Sequence, residues 1–337
     1  LSVGITSYTE PGLGPGAKGQ HGGSCDDAVM RVYKELAHQG EIPLRVTALS
    51  LFGQLDGPSN LKTVCEGIDT VEPPLFSGPT RWQVAGLKLF ADIIPLNHGS
   101  WMSKPYGGGD CGHLVVEGDD DDERLASFRE MIFHAHSAGL QVGVHATGDR
   151  AISETVRAFA DAIDRDGRDD LRHYVIHGDL TPVETLELMG RTKTGINTQP
   201  AIHAIGAARR DPTAPPSDQD LMLRRAVDAG ATLCLSSDGP IVTHDWRIAI
   251  AACLTRAAPA GSPEQKQRCI SLEEAVRGYT INGAWQDHAE RWKGSLEVGK
   301  VADLCVLSGD LTKTPAEEVP GLEVKMTVVD GEIAFER

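Results

Sequence analysis

The strongest constraint on the fold is a repeated alternation of short apolar or β-branched runs with longer amphipathic segments. The predicted strands lie at residues 3–9, 44–52, 86–91, 141–146, 173–177, 194–199 and 231–236. The predicted helices lie at residues 25–39, 124–138, 149–163, 182–189, 218–229 and 271–282. Strands that alternate with helices through compact connections form βαβ units, so the chain is predicted to build a parallel sheet.

The number of predicted strands is one fewer than a closed eight-stranded barrel needs. We therefore predict an α/β fold of the (β/α)8 TIM-barrel type over residues 1–290, with strands two to eight in this chain. An open doubly wound sheet is the alternative. Because the sequence opens on a strand without an initiator Met, we expect an upstream segment or a separate chain to complete the barrel.

Residues 291–337 follow a different pattern from the barrel repeats. Turn glycines precede an apolar run at residues 301–307, and two further runs flank Asp330-Gly331. An Asp-Gly pair between two such runs is typical of a β-hairpin. The tail is thus predicted to be a small antiparallel β-appendage, the carboxyl-terminal part of a small β-sandwich domain.

Charge and cysteine usage exclude several function classes. With 32 Lys and Arg against 48 Asp and Glu, the net charge of −16 argues against binding of nucleic acid or an anionic membrane. No apolar run approaches the roughly 18 residues that a bilayer span requires. The 7 cysteines include no clustered pair, which is typical of reduced thiols in a cytoplasmic protein.

Chemically useful side chains occur where the predicted strands end. A lysine, Lys88, interrupts an apolar strand, two strands end in His145 and His177, and the last is followed by Asp238. Each alone has a structural interpretation: a hydrogen-bonded histidine, a turn aspartate, a lysine that reaches solvent. Because the carboxyl ends of barrel strands meet at one rim, their joint occurrence favours a metal site there.

The predicted ligand types suit a catalytic metal. Neutral imidazole and carboxylate are usual zinc ligands, although iron and manganese accept them too. Such a metal lowers the pKa of bound water to about 7 and so supplies hydroxide. Asp238 could take the proton of that water and deliver it to a leaving amine.

Several segments resemble the amidohydrolase superfamily, in particular its branch of formamide deformylase-like, YtcJ-type metal-dependent hydrolases. They are residues 86–92, 144–151, 176–179, 199–203 and 236–240, together with the tail at 293–307. The most specific are His-Ala-Thr-Gly-Asp-Arg-Ala, which begins at His145, and Gly-Lys-Val-Ala-Asp-Leu, which begins at Gly299. The resemblance covers nearly the whole chain.

This resemblance implies a function and a site. His145 and His177 would be metal ligands, Asp238 a ligand and the proton shuttle, and Lys88 the lysine that is often carboxylated to bridge two metals. A mononuclear site with an unmodified Lys88 is the alternative. His203 would face the substrate as a second catalytic residue. The implied enzyme uses one or two Zn²⁺ ions to cleave a carbon–nitrogen bond, of amide or N-formyl type, in a small molecule. Homo-oligomerisation is left open.

One feature of the family is missing from the expected place. Its His-x-His pair at the first barrel strand has no counterpart, since the only such pair here, His134 and His136, lies in a predicted helix. Positions i and i+2 point about 200° apart on a helix, so both are interpreted as packing or surface residues. A truncated, non-catalytic barrel that binds a partner or a metal is therefore the alternative function. A lyase or isomerase is a third, because fold does not determine chemistry.

Overall fold

A curved parallel sheet dominates the computed structural model, which describes residues 1–20, 25–107, 109–202, 222–256 and 261–337. Its strands pair in chain order and all run in the same direction. They are β1 (Ser7–Leu13), β2 (Arg45–Leu51), β3 (Trp82–Phe90), β4 (Gln141–Ala146), β5 (Tyr174–His177), β6 (Gly195–Thr198) and β7 (Thr232–Leu235). The order and direction confirm the predicted barrel-type architecture.

Helices connect the strands of this sheet and follow the last of them. Their bounds are α1 (Asp27–Gln39), α2 (Leu61–Ile68), α3 (Asp121–Ser137), α4 (Asp149–Asp166), α5 (Val183–Thr192), α6 (Met222–Asp228), α7 (Trp246–Thr255), α8 (Pro263–Arg268), α9 (Leu272–Tyr279) and α10 (Ile281–Gln286). None of the described helices has the length and hydropathy to cross a bilayer.

The two faces of a strand have different surroundings, as β4 illustrates. Val142 and Val144 are fully buried in the main apolar core, which also holds Phe128 of α3 and Phe159 of α4. Residues on alternate positions of a strand face opposite sides of its sheet. The other side of β4 therefore faces the barrel interior, and it carries polar residues, among them His145.

Local sequence explains where the helices start. Asp120 accepts a hydrogen bond from the backbone N–H of Glu123 at 2.9 Å, and acidic residues fill the first turn of α3. Ser271 and Glu274 form a capping box at the start of α9. The predicted helix at 271–282 is nevertheless wrong in one respect, because Thr280 leaves helical geometry and separates α9 from α10.

The bounds of two strands also differ from the prediction. β1 begins at Ser7, four residues later than predicted, and runs four residues further, through Pro11, because an edge strand tolerates a residue without an N–H. β3 begins at Trp82, since Trp82 and Gln83 pair with β2 although their mixed polarity hides the strand.

A short segment closes the amino-terminal end of the barrel. This floor segment, residues 281–293, receives hydrogen bonds from side chains of five strands. The donors are Thr9, Gln83, Gln141, Asn197 and Cys234, from β1, β3, β4, β6 and β7. Because both edge strands reach the same segment, the sheet must curve around it. On the outside, Trp246 of α7 likewise donates to the carbonyl oxygen of Val3 at 2.7 Å.

The predicted antiparallel appendage is present. Strands β8 (Leu304–Leu307), β9 (Val324–Val329) and β10 (Glu332–Glu336) form one sheet, and Asp330-Gly331 makes the predicted turn. Arg45 of β2 donates to Asp303 beside β8 at 2.8 Å, with both side chains buried. This ion pair attaches the appendage to the parallel sheet.

Candidate metal centre

The carboxyl ends of β3, β4 and β5 bring three of the predicted site residues together. The ammonium group of Lys88 lies 4.6 Å from the ring centroid of Phe90. That ring is 5.1 Å from the ring of His145, which lies edge-on to His177 at 4.5 Å. The chain thus places two imidazoles and a lysine in one small part of the interior.

His145 has a defined tautomer because of its backbone partner. Its Nε2 lies 2.8 Å from the carbonyl oxygen of Ile93. A carbonyl only accepts hydrogen bonds, so Nε2 carries the proton and Nδ1 keeps its lone pair. Burial, aided by the neighbouring His177 and Lys88, lowers the pKa of His145 well below its ordinary value. The ring is therefore neutral, as a metal ligand must be.

His177 has the opposite tautomer. Its Nδ1 lies 2.7 Å from the side-chain oxygen of Gln199. Gln199 donates its amide N–H groups to the carbonyl oxygen of Asn197 and to the hydroxyl of Ser236, which leaves only the amide oxygen toward His177. Nδ1 of His177 must therefore donate, and Nε2 keeps the free lone pair. Burial lowers the pKa of this imidazole too.

Lys88 is buried without a compensating charge in contact. The residue is 4% exposed, and its ammonium group has neither a hydrogen bond nor an ion pair within the part of the chain that the structure describes. Burial lowers the pKa of Lys88 to about 8, against the opposing effect of Asp238, Asp56 and Glu10. A substantial neutral fraction is thus present near physiological pH.

Asp238 reaches the same region from the other edge of the sheet. Its carboxylate is near enough to raise the pKa of both Lys88 and His177. Asp238 and His177 also share a left-handed backbone, with φ of 57° and 75°. Such conformations are costly for residues other than glycine and concentrate at functional sites.

Glu10 is a site residue that the sequence did not predict. It lies on β1, it is half-buried, and burial raises its pKa while Lys88 lowers it and Asp238 raises it further. Two carboxylates from opposite edges of the sheet therefore act on one buried lysine. The only sequence signal is the acidic residue in Thr9-Glu10-Pro11.

Asp92 organises the loop that supports His145. Its carboxylate accepts hydrogen bonds from the backbone N–H groups of Trp101, Thr147 and Gly148 at 2.8–2.9 Å. Burial nevertheless raises the pKa of Asp92 to about 7, although these backbone bonds lower it. Thr147 in turn donates to the carbonyl oxygen of Ile93, the atom that holds His145.

The remaining predicted residues have different outcomes. His134 pairs with Asp69, and His136 contacts His173 and Asp166 in a separate buried cluster, so the structure keeps this His-x-His pair apart from the site, as predicted. His203 lies outside the described residues. Among the residues that are described, no three His, Cys, Asp or Glu side chains already surround a point that could hold a metal.

The donor chemistry fits a divalent metal all the same. The two imidazoles are neutral, and each has one nitrogen committed to a protein oxygen and one lone pair free. Hydrogen bonding of the second nitrogen to a protein group is the usual arrangement for metal-binding histidines. A buried lysine of lowered pKa and a nearby carboxylate complete a set that suits zinc, iron or manganese.

Comparison with known proteins identifies relatives along almost the whole chain. The protein named amidohydrolase YtcJ from Bacillus subtilis (strain 168) is 25% identical over 95% of this chain and 59% of its own length. The N-substituted formamide deformylase of Arthrobacter pascens is 35% identical over 34% of this chain and 21% of its own. The chain thus spans about three fifths of the length of the first of these relatives, and a smaller part of the second.

Solved structures agree on the fold. A metal-dependent hydrolase of uncharacterised function from Pyrococcus horikoshii OT3 matches with a TM-score of 0.70 and 21% identity, over 94% of this chain and 58% of that one. A similar hydrolase from Pyrococcus furiosus gives 0.65 and 23%, over 89% and 55%. The amidohydrolase family itself matches residues 1–335. This chain therefore belongs to the amidohydrolase family.

Proposed function

We propose that this chain forms the barrel of a metal-dependent hydrolase that cleaves a carbon–nitrogen bond, of amide or N-formyl type, in a small molecule. The observation that carries the proposal is the His145–His177 pair, two neutral imidazoles 4.5 Å apart whose free lone pairs are Nδ1 and Nε2. Family membership and the formamide deformylase among the relatives support the bond type. The expected metal is zinc, one or two ions.

The proposed ligands are His145, His177, Asp238 and Lys88. When bound, a divalent metal supplies Lewis acidity, which polarises a carbonyl and makes water nucleophilic near pH 7. Lys88 suits carboxylation because its neutral amine can add CO₂ and release a proton, and burial lowers its pKa to about 8. The resulting carbamate would add two oxygen ligands to a site where no three described His, Cys, Asp or Glu side chains already surround a metal position.

Asp238 is the proposed proton carrier. Hydrolysis adds water across the bond, so the proton that water loses must reach the leaving nitrogen. Asp238 accepts it while the carbon–oxygen bond forms and returns it while the carbon–nitrogen bond breaks. Its proximity to both Lys88 and His177 supports this role. His203 remains a proposed substrate-facing residue.

The test is zinc-dependent release of amine. Protein stripped with a chelator and reloaded with zinc would be assayed against a panel of N-formyl and N-acyl amines. We expect turnover only after reloading, and a loss of at least about 100-fold in kcat for Asp238→Asn. Asp122→Asn, at an exposed carboxylate in the first turn of α3, is the matched control. Metal-independent turnover would contradict the proposal.

A non-catalytic barrel is the second candidate. The observation that favours it is the lack of a ready cage of three His, Cys, Asp or Glu ligands within the described residues. Under this alternative, the chain binds zinc or a partner and turns nothing over. Tight zinc binding together with inactivity across the panel would favour it over the hydrolase.

A further inference from the structure

Four side chains behind His177 form a continuous hydrogen-bonded relay inside the barrel. Gln199 meets the imidazole at 2.7 Å, Ser236 meets Gln199 at 2.9 Å, and Ser236 in turn reaches Asn197. The amide of Asn197 continues to the side-chain oxygen of Gln286 at 3.1 Å. The relay runs from the candidate metal centre to the floor segment and joins β5, β6, β7 and α10.

Only one direction of hydrogen bonding satisfies every member of this relay. Gln199 must point its NH₂ group at the carbonyl oxygen of Asn197, since that atom cannot donate. The same NH₂ group donates to Ser236, whose hydroxyl then donates to the amide oxygen of Asn197. Asn197 uses its own NH₂ group on Gln286. A flipped Gln199 would leave two oxygens facing each other.

Burial makes this direction difficult to reverse. Gln199 and Gln286 are each 2% exposed, so water cannot replace a lost partner at either amide. A buried polar group without a partner costs far more than a hydrogen bond contributes. The amide oxygen of Gln199 is thereby held toward His177, and the proton of that imidazole is held on Nδ1.

We infer that Gln199 is a positioning residue that selects the His177 tautomer with a free Nε2, and that Ser236 and Asn197 keep Gln199 in the orientation this requires. The inference rests on the proposed function only where metal binding is the readout. A tautomer is a property of the metal-free protein, so it can be tested separately.

The test compares ¹⁵N-histidine NMR spectra of metal-free variants with zinc affinity measured by competition with a chelator. The wild type should show His177 protonated on Nδ1. Gln199→Met keeps the side-chain volume but removes the acceptor, so the spectrum should change to a mixture or to the Nε2-protonated form. Zinc affinity should then fall about 10–100-fold.

Two further variants separate positioning from packing. Gln141→Met removes a similarly buried amide. That amide donates to the backbone carbonyl oxygens of Gln286 and Arg172 and does not contact His177. This variant should leave the tautomer and the zinc affinity unchanged. Ser236→Ala releases the NH₂ group of Gln199 from one partner and should shift the tautomer partway.

Either of two results would overturn the inference: a wild-type His177 protonated on Nε2, or an unchanged tautomer in a folded Gln199→Met protein. If instead the tautomers are as expected but neither the wild type nor any variant binds zinc, the inference about Gln199 holds and the proposed function is wrong.

Discussion

Two lysines are buried at opposite ends of this barrel, and their surroundings are opposite too. Lys293, on the floor segment, is 6% exposed and donates to Asp287 and to Ser7, each at 2.6 Å. Lys88, at the carboxyl end, is 4% exposed and contacts the ring of Phe90, with no such partner among the described residues. Asp287 compensates the charge of Lys293, whereas burial lowers the pKa of the uncompensated Lys88.

The contrast separates a structural end of the barrel from a chemical one. At the floor, side chains of five strands donate hydrogen bonds to the floor segment, and this specifies how the sheet curves. At the rim, an uncompensated lysine and two neutral imidazoles remain available for a ligand. Buried groups with perturbed pKa values concentrate at functional sites.

The largest effect is expected at the floor. Lys293→Met leaves Asp287 as a buried carboxylate without its cation, which should lower the free energy of unfolding by about 3–5 kcal/mol. Urea unfolding at neutral pH measures this. The double variant Lys293→Met/Asp287→Asn is the control, since it removes both charges and should recover part of the loss. A change below about 1 kcal/mol in the single variant would show that the floor pair is not structural.

A smaller loss of stability is expected at the carboxyl end of the barrel, where three backbone N–H groups donate to Asp92. Asp92→Asn turns an NH₂ group toward at least one of three backbone N–H groups that the carboxylate satisfies, at a cost of about 2–3 kcal/mol. Because these bonds also hold the loop that supports His145, zinc affinity should fall as well. Asp122→Asn should change neither quantity. An Asp92→Asn protein with wild-type stability would show that Asp92 does not clamp this loop.

An effect of opposite sign is expected for Lys88→Met. The metal-free variant should be more stable than the wild type at pH 7, because the lysine is desolvated without a partner.

The pH dependence of this difference follows from the lowered pKa of Lys88. Between about 8 and the ordinary value of 10.5, the unfolded chain binds this proton and the folded chain does not. The free energy of unfolding of the wild type should therefore rise relative to that of Lys88→Met as pH rises through this window. Above the window, the two proteins should be equally stable. If Lys88→Met lost as much stability as Lys293→Met, the result would contradict the contrast between the two lysines.

Much of the fold could be predicted because it follows from local pattern. Alternating strands and helices predict the parallel sheet and its order, and Asp330-Gly331 predicts the hairpin. The limits are physical as well. Pro11 looks like a strand terminator until β1 is known to be an edge strand. The break at Thr280 leaves no mark in a sequence whose apolar spacing continues across it.

The site was predictable only in part, for a related reason. His145, His177 and Lys88 stand out because each occurs in or at the end of an apolar strand, so topology alone brings them together. The roles of Asp92 and Gln199 depend on partners that lie elsewhere in the chain, such as Gly148 and Ser236. No spacing rule encodes such partners, and Glu10 joins the site only because the sheet curves.

The most direct test of the metal centre is the zinc content of the purified protein after saturation and dialysis. The wild type should retain about one equivalent or more. His145→Ala and His177→Ala should each retain less than about a tenth of that amount, because each removes a proposed ligand. His134→Ala, at a partly exposed histidine on α3, should match the wild type. Wild-type zinc content in both His145→Ala and His177→Ala, or none in the wild type, would contradict the account.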